Sequence, residues 1–338
     1  MTNRSSPRPS DAQRKVVKQM GTVVLALATN MLCNAYVFAA EYPNKQMAVV
    51  VGYAPGGSSD TVARIIAERL FPAAGKAIVD NKPGASGKIA AQYVGRAAPD
   101  GHTILLGHTA EISINKFLSS DYGSDPDKEL SPVALVFSTP HAIAVASGSR
   151  YATLQDLLAA GRANPGKISF ASAGFGTPGH LAGEQLARGT NVRFNHVPYK
   201  GVGQAMSDVL GGHIDFFFVA LPAAMPYLKN NQLRLLAMTS ARRVGSLPNV
   251  PTVSEVTGIV PFDFPVWGGV FVPAGTPADV VTALNKEVNN ILATPDVKDR
   301  LAALHADVSI LTPAQFGDFV KTESAKYQKL IKDAGLKE

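Results

Sequence analysis

The sequence predicts an α/β protein of two doubly wound lobes joined by two crossover strands. Three observations predict it. Apolar runs, glycine-rich turns and helical stripes follow one another from Met47 onward. About 300 residues follow a leader-like start, more than one core usually holds. The chain also leaves its first α/β region near Pro140 and returns to it late, which takes two connecting segments.

The start is a secretory leader. Arg4, Arg8, Arg14, Lys15 and Lys18 are followed by Gly21 to Phe38, apolar except for Thr22, Thr29, Asn30 and Asn34. Val37-Phe38-Ala39 supplies the small-x-small exit, so cleavage is expected beside Ala39 or Ala40. No continuous run of about 18–20 apolar residues is present there to span a bilayer. The single cysteine, Cys33, follows Leu32 rather than the Gly or Ala of a lipid-anchor site. A mature chain starting after residue 40 then has no cysteine, hence no disulfide, thiolate nucleophile or Cys-ligated zinc. Of the formal charge of +6, residues 1–40 carry five basic groups and one acid, leaving +2 for the remainder. That is too little for a nucleic-acid footprint, so any anion is held by a local site.

Met47 to Val51 reads as a strand buried on both faces, and Gly52 to Ser59 as turn chemistry. Val62, Ile65, Ile66 and Leu70 then recur at helical spacing. Ile78-Val79 is a short strand, Pro83 to Gly87 a second glycine turn, and Ile89, Tyr93, Val94 and Ala97 the next helical stripe. Asp100-Gly101 turns the chain into a strand over Thr103 to Leu106. This β-α-β-α-β order implies a parallel sheet with helices on both sides. The second lobe opens with a strand over His141 to Ala146, and Thr153 caps a helix that Asn164-Pro165-Gly166 stops. Further strands are expected over Ile168 to Ala171, Arg193 to Val197, Ile214 to Val219 and Leu233 to Met238. Beyond the proline-rich stretch Leu247 to Pro265, Trp267 to Val272 is a strand, and the remainder is mostly helical. Crossovers near Ser138-Thr139 and Phe264 to Trp267 divide the chain into 1–40, the leader; 41–139 plus 265–338, lobe 1; and 140–264, lobe 2. Two lobes joined this way can hinge around a ligand.

Two turns carry the chemistry. Tyr53-Ala54-Pro55-Gly56-Gly57-Ser58-Ser59-Asp60 lies between strand and helix, where glycine admits close approach of the backbone and the free N–H groups of the helix start point at an anion. An ordinary capped turn is the alternative for this stretch alone. Ser172-Ala173-Gly174-Phe175-Gly176-Thr177-Pro178-Gly179-His180 repeats the arrangement. Its glycines fit G-x-G-x-x-G, but the next strand ends in His196-Val197-Pro198-Tyr199-Lys200 without the acid a dinucleotide fold requires. Pro83-Gly84-Ala85-Ser86-Gly87-Lys88-Ile89 lacks the spacing of a P-loop. Two such turns, one per lobe, would face each other at the C-terminal ends of their strands.

The chain resembles the Bug-type periplasmic receptors of tripartite tricarboxylate transporters. The resemblance rests on the Tyr53–Asp60 turn, Asp80 to Gly87, Ala98 to Thr103, Ala163 to Lys167, Gly176 to Gly183, His196 to Gly201, Leu247 to Thr252 and Pro273 to Pro277, in that order. It implies a type II periplasmic binding-protein fold with the ligand in the cleft between lobes, and a small organic carboxylate held by both turns, partly through ordered water. Carried residue by residue, it points to Gly56, Gly57 and Ser58 in one lobe, Ser172, Gly176 and Thr177 in the other, and Tyr53 flanking. His180 is read either as a ligand or as a helix-start residue. The stretch Gly107 to Ser113 departs from the family, and Glu111 there either faces the cleft, welcoming a ligand amine or guanidinium, or is a solvated loop acid. The partners implied are the carboxylate and the transporter's membrane subunits, with the receptor a monomer in the periplasm and no cofactor or metal. A receptor for a membrane sensor kinase is the alternative, since both roles need the same closure. A hydrolase is the third reading; it lacks a G-x-S-x-G elbow, and no His pair has helical zinc spacing.

Overall fold

Val49, Val50 and Val51 are buried on both faces, as a central parallel strand should be, and they form β1 (Ala48–Val51). In the computed structural model, residues 42–55, 58–119 and 122–336 are described. The leader expected over residues 1–40, and with it Gly56 and Gly57 of the first turn, lies outside the described residues. The elements below all belong to the unit Lys45–Glu338.

The first sheet has the order β2-β1-β3-β10-β4. After β1 come α1 (Ser58–Ala67), β2 (Ile78–Asn81), α2 (Lys88–Gly95) and β3 (Thr103–His108). Both β2 and β3 pair in parallel with β1, with Val51 opposite Asn81 and Leu106. A π-helical turn (Ala110–Ile114), α3 (Asn115–Leu118) and α4 (Pro126–Glu129) lead into β4 (Leu130–Thr139). The second sheet has the order β7-β6-β8-β5-β9. Its elements are β5 (His141–Ala146), α5 (Leu154–Ala163), β6 (Ser169–Ser172), α6 (Pro178–Thr190), β7 (Asn195–Pro198), α7 (Val202–Leu210), β8 (Phe216–Ala220), α8 (Leu221–Lys229) and β9 (Leu233–Met238). A short helix α9 (Val253–Thr257) interrupts the proline-rich stretch before β10 (Val266–Pro273) rejoins the first sheet. Three helices follow: α10 (Ala278–Ala293), α11 (Pro295–Ala303) and α12 (Pro313–Ala334).

Each sheet holds one strand that arrives from the other, in the same place. The chain passes from β4 through Pro140 into β5, and later from Phe264 into β10. β10 runs antiparallel between β3 and β4, and β5 runs antiparallel between β8 and β9. The sheets are therefore mixed rather than wholly parallel. β4 was not foreseen; it contains Pro132 near its start, and Pro is tolerated at edge strands, which β4 is. The expected cap on α5 is present as a capping box, with Thr153 Oγ1 accepting from Asp156 N–H and the Asp156 carboxylate accepting from Thr153 N–H.

Among the apolar cores of the described residues, two are bridged by two elements. Val50, Leu105, Leu135, Trp267 and Phe271 pack with Phe316 and Val320 from the first half of α12. Ile143, Phe170, Leu181, Phe216 and Phe218 pack with Tyr327 and Ile331 from its second half. Ile114 and Leu118, which follow β3 of the first sheet, also join this second core. At 22 residues α12 is about 33 Å long, enough to brace both lobes.

Candidate functional site

The first turn is pinned from the side by Asn81, the last residue of β2. Its Nδ2 donates to the Tyr53 carbonyl and to Asp60 Oδ1, both at 3.1 Å. Asp60 also accepts from Arg64 one turn along α1, and as an acid in the first turn it complements the helix dipole. One amide thus holds both ends of the segment that contains Gly56, Gly57 and Ser58, the last of which opens α1.

Tyr53 and Glu111 are in direct contact. The phenol donates to Glu111 Oε2 at 2.8 Å, and the other oxygen accepts from His108 N–H at 2.8 Å. Burial first, and then the Glu111 carboxylate, hold the Tyr53 phenol well above its ordinary range, so it is a neutral donor. Glu111 lies in the π-helical turn and is 0 % exposed. A Cβ on Gly87 would stand 2.6 Å from the Glu111 carboxyl carbon, and one on Gly52 would stand 2.6 Å from Gly87 Cα. Only glycines allow these layers to close over the carboxylate. Glu111 was read as facing the cleft or as solvated in a loop. Its burial overturns the solvated reading: each oxygen accepts a hydrogen bond from the protein. Tyr53→Phe is expected to cost about 1–3 kcal/mol, because a buried carboxylate oxygen loses its donor. Urea melts check this, and a second change, Glu111→Gln, should reduce the loss; an unchanged midpoint for Tyr53→Phe would remove the phenol from this structural role.

In the second turn the hydroxyls serve the loop. Ser172, the last residue of β6, is fully buried; its Oγ donates to the Gly174 carbonyl at 2.9 Å and accepts from Gly174 N–H at 3.2 Å. His196 Nε2 lies 2.7 Å from the same Oγ. One hydroxyl proton cannot serve both neighbours, so the consistent assignment has Nε2–H donating to Oγ. Thr177 Oγ1 donates to the Gly174 carbonyl as well, at 2.8 Å. At the start of α6, Pro178 has no N–H and Leu181 N–H donates to the Thr177 carbonyl at 3.1 Å, so the first-turn amides without an intrahelical acceptor are those of Gly179 and His180.

His180 is tied into this frame. Gly176 N–H donates to its Nδ1 at 3.2 Å, which places the proton on Nε2, 3.7 Å from Glu184 Oε1. The ring stacks on His196 with centroids 4.0 Å apart and packs at a tilt against Phe175 at 4.7 Å. Burial, and then the neighbouring His180, push His196 down to about 3. Of the two readings of His180, this geometry is that of a helix-start residue. His196 is hydrogen-bonded structure, through its bond to Ser172.

Gly176 carries the link between lobes. Its φ is +71°, and a Cβ there would stand 2.4 Å from Leu118 Cδ1 and 3.0 Å from Asn115 Oδ1. Asn115 Nδ2 in turn donates to the Ser86 carbonyl at 3.4 Å. The segment Ala110–Leu118 therefore runs beneath Tyr53 at one end and against Gly176 at the other. Sequence reasoning missed Asn81, His108 and Asn115. Asn81 sat in view inside the Asp80 to Gly87 motif, whereas the other two give no local signal. Among the described residues, no group of three or more His, Cys, Asp or Glu side chains converges as metal ligands would.

Two sheets of matching order that exchange one strand each, with a glycine turn at the C-terminal end of β1 and of β6, define a two-lobed type II periplasmic binding protein. The chain belongs to the tripartite tricarboxylate transporter family of receptors, which it matches over residues 62–336. It is 31 % identical over 305 residues to Protein BugT of Bordetella pertussis (strain Tohama I), covering 90 % of this chain and 93 % of that one. The solved structure of R. palustris Rpa4515 with adipate is similar at 31 % identity and a TM-score of 0.81, over 88 % of this chain and 99 % of that one. MatC from Rhodopseudomonas palustris with bound malate is similar at 30 % identity and a TM-score of 0.77, over 86 % of this chain and 100 % of that one.

Proposed function

We propose that this receptor captures a small organic carboxylate between its lobes and hands it to the membrane subunits of a tripartite transporter, without turning it over. The observation that carries the reading is the pair of glycine turns that run into the N-termini of α1 and α6. Both are joined to the segment Ala110–Leu118, one through Tyr53 and Glu111, the other through Gly176. Backbone amides of both lobes would then converge on one carboxylate, with Gly56, Gly57 and Ser58 on one side and Ser172, Gly176 and Thr177 shaping the other. The adipate and malate in the two similar structures support an anion of this class. Residues 41–139 with 265–338 form one lobe and 140–264 the other; residues 1–40 are a leader cleaved on export to the periplasm, where the receptor acts as a monomer.

Closure follows from contacts that both lobes make only around the anion, since a ligand shifts the open–closed balance by no more than its differential affinity. A thermal-shift panel of mono-, di- and tricarboxylates, aromatic acids, amino acids and uncharged polyols tests the reading. At about 100 times Kd a ligand should add roughly 2.7 kcal/mol of stability. A panel in which no carboxylate raises the melting temperature, while an uncharged solute does, would overturn it.

A further inference from the structure

We propose that His108 is a specificity-determining residue that selects carboxylates bearing a hydroxyl or amino donor over their unsubstituted parents. The inference rests on the carboxylate reading above. His108 is the last residue of β3, opposite Gly268 of β10, and is 3 % exposed. Its ring packs edge-on to Tyr53 of the first glycine turn, with centroids 4.9 Å apart, and at a tilt to Phe137 at 5.5 Å. Neither ring nitrogen makes a hydrogen bond to the described residues, although both are buried.

The local electrostatics decide what the ring offers. Nδ1 stands 3.4 Å from Glu111 Oε1, close enough for the charge to act though not aligned for a hydrogen bond. A carboxylate on that side favours the proton on Nδ1, which leaves the lone pair on Nε2. Glu111 itself is fully buried, with Tyr53 O–H donating to one oxygen and His108 N–H to the other. The discrimination first looked for in Glu111 thus passes to its neighbour. A buried acceptor without a donor is costly, and each such group in a native protein calls for a partner. A ligand O–H or N–H beside the carboxylate supplies one, whereas a methylene leaves the nitrogen unpaired. Sites built to meet a polar group reject the analogue that lacks it.

The test uses matched pairs by calorimetry on the full mature chain: succinate with malate and aspartate, glutarate with 2-hydroxyglutarate and glutamate, tricarballylate with citrate. In the best-bound series the substituted acid should bind about tenfold or more tightly than its parent, one buried hydrogen bond's worth. His108→Phe should erase that preference while holding parent affinity within about threefold. His108→Leu serves the same purpose if phenylalanine perturbs the circular dichroism spectrum. A preference that survives both variants, or a wild type that binds parent and substituted acids alike, overturns the role of His108 and leaves the carboxylate reading standing. Failure of every acid to bind the wild type overturns both.

Discussion

Gly176→Val is expected to lower stability by about 2–4 kcal/mol and to weaken carboxylate binding in the same variant. The sequence alone predicts a binding defect on an intact fold, because a glycine between strand and helix reads as room for a ligand. The structure changes that expectation. At φ +71° a β-branched residue is strained whatever surrounds it, and the new Cβ would meet Leu118 and Asn115 of the segment that follows β3. Leu118 Cδ1 is the end of a flexible side chain and can move; the backbone strain cannot be relieved in this way. Gly176→Ala separates the two effects, since it keeps most of the strain and adds little bulk. Thermal melts and calorimetry on the three proteins measure both losses. A valine variant that melts with the wild type would show that this turn does not adopt the left-handed conformation.

The framework of alternating elements was legible because it depends on local pattern. His141–Ala146 and Leu233–Met238 form strands with the bounds that their apolar runs suggest, and Thr153 caps its helix as its position before Leu154 implies. What could not be read is what distant segments decide. The antiparallel insertion of β5 and β10 is set by where the chain crosses between lobes, and an apolar run by itself does not tell the direction in which its strand will pair. The burial of Glu111 depends on Gly52 and Gly87, 59 and 24 positions earlier in the sequence, coming close enough to seal the carboxylate. A polar residue in a stretch ending in Ser113-Ile114-Asn115 gives no sign of that. The hydroxyls of Ser172 and Thr177 were legible as part of the second turn, but their orientation toward Gly174 was not.

The same distance effect explains why the two lobes hold together as one compact body. The crossover before β10 is fastened to α12: Trp267 Nε1 donates to Glu323 Oε2 at 3.2 Å, and Lys326 Nζ donates to the Asp263 carbonyl at 3.1 Å. Burial raises both Glu323 and Asp263 above the usual carboxylate range, with Lys326 opposing it. A helix that contributes Phe316 and Val320 to one core and Tyr327 and Ile331 to the other ties lobe motion to this polar joint.

Stability should fall steeply on mild acidification, and the cause lies at that hinge. His141 opens β5 just after the first crossover, and its Nδ1 donates to the carbonyl of Phe264 at 2.9 Å, just before the second. Burial pushes it down to about 4, and His196 beneath the second glycine turn is pushed to about 3. With both rings held neutral in the native state, the unfolded chain binds more protons below its ordinary histidine value of about 6.5. The stabilisation is complete above that pH and is lost as pH falls toward about 4 for His141 and about 3 for His196. Each ring contributes a slope of about 1.4 kcal/mol per pH unit within its window, so His141 alone accounts for about 3 kcal/mol. Urea melts at pH 7.5, 6.5, 6.0 and 5.0, which keep above the ordinary Asp and Glu values of about 3.9 and 4.3, read this directly. His141→Gln should flatten the dependence by one such slope, and His196→Gln by another. A wild type equally stable at pH 7.5 and 5.0 would mean that these imidazoles are hydrated in solution, and that the crossovers are not clasped by His141.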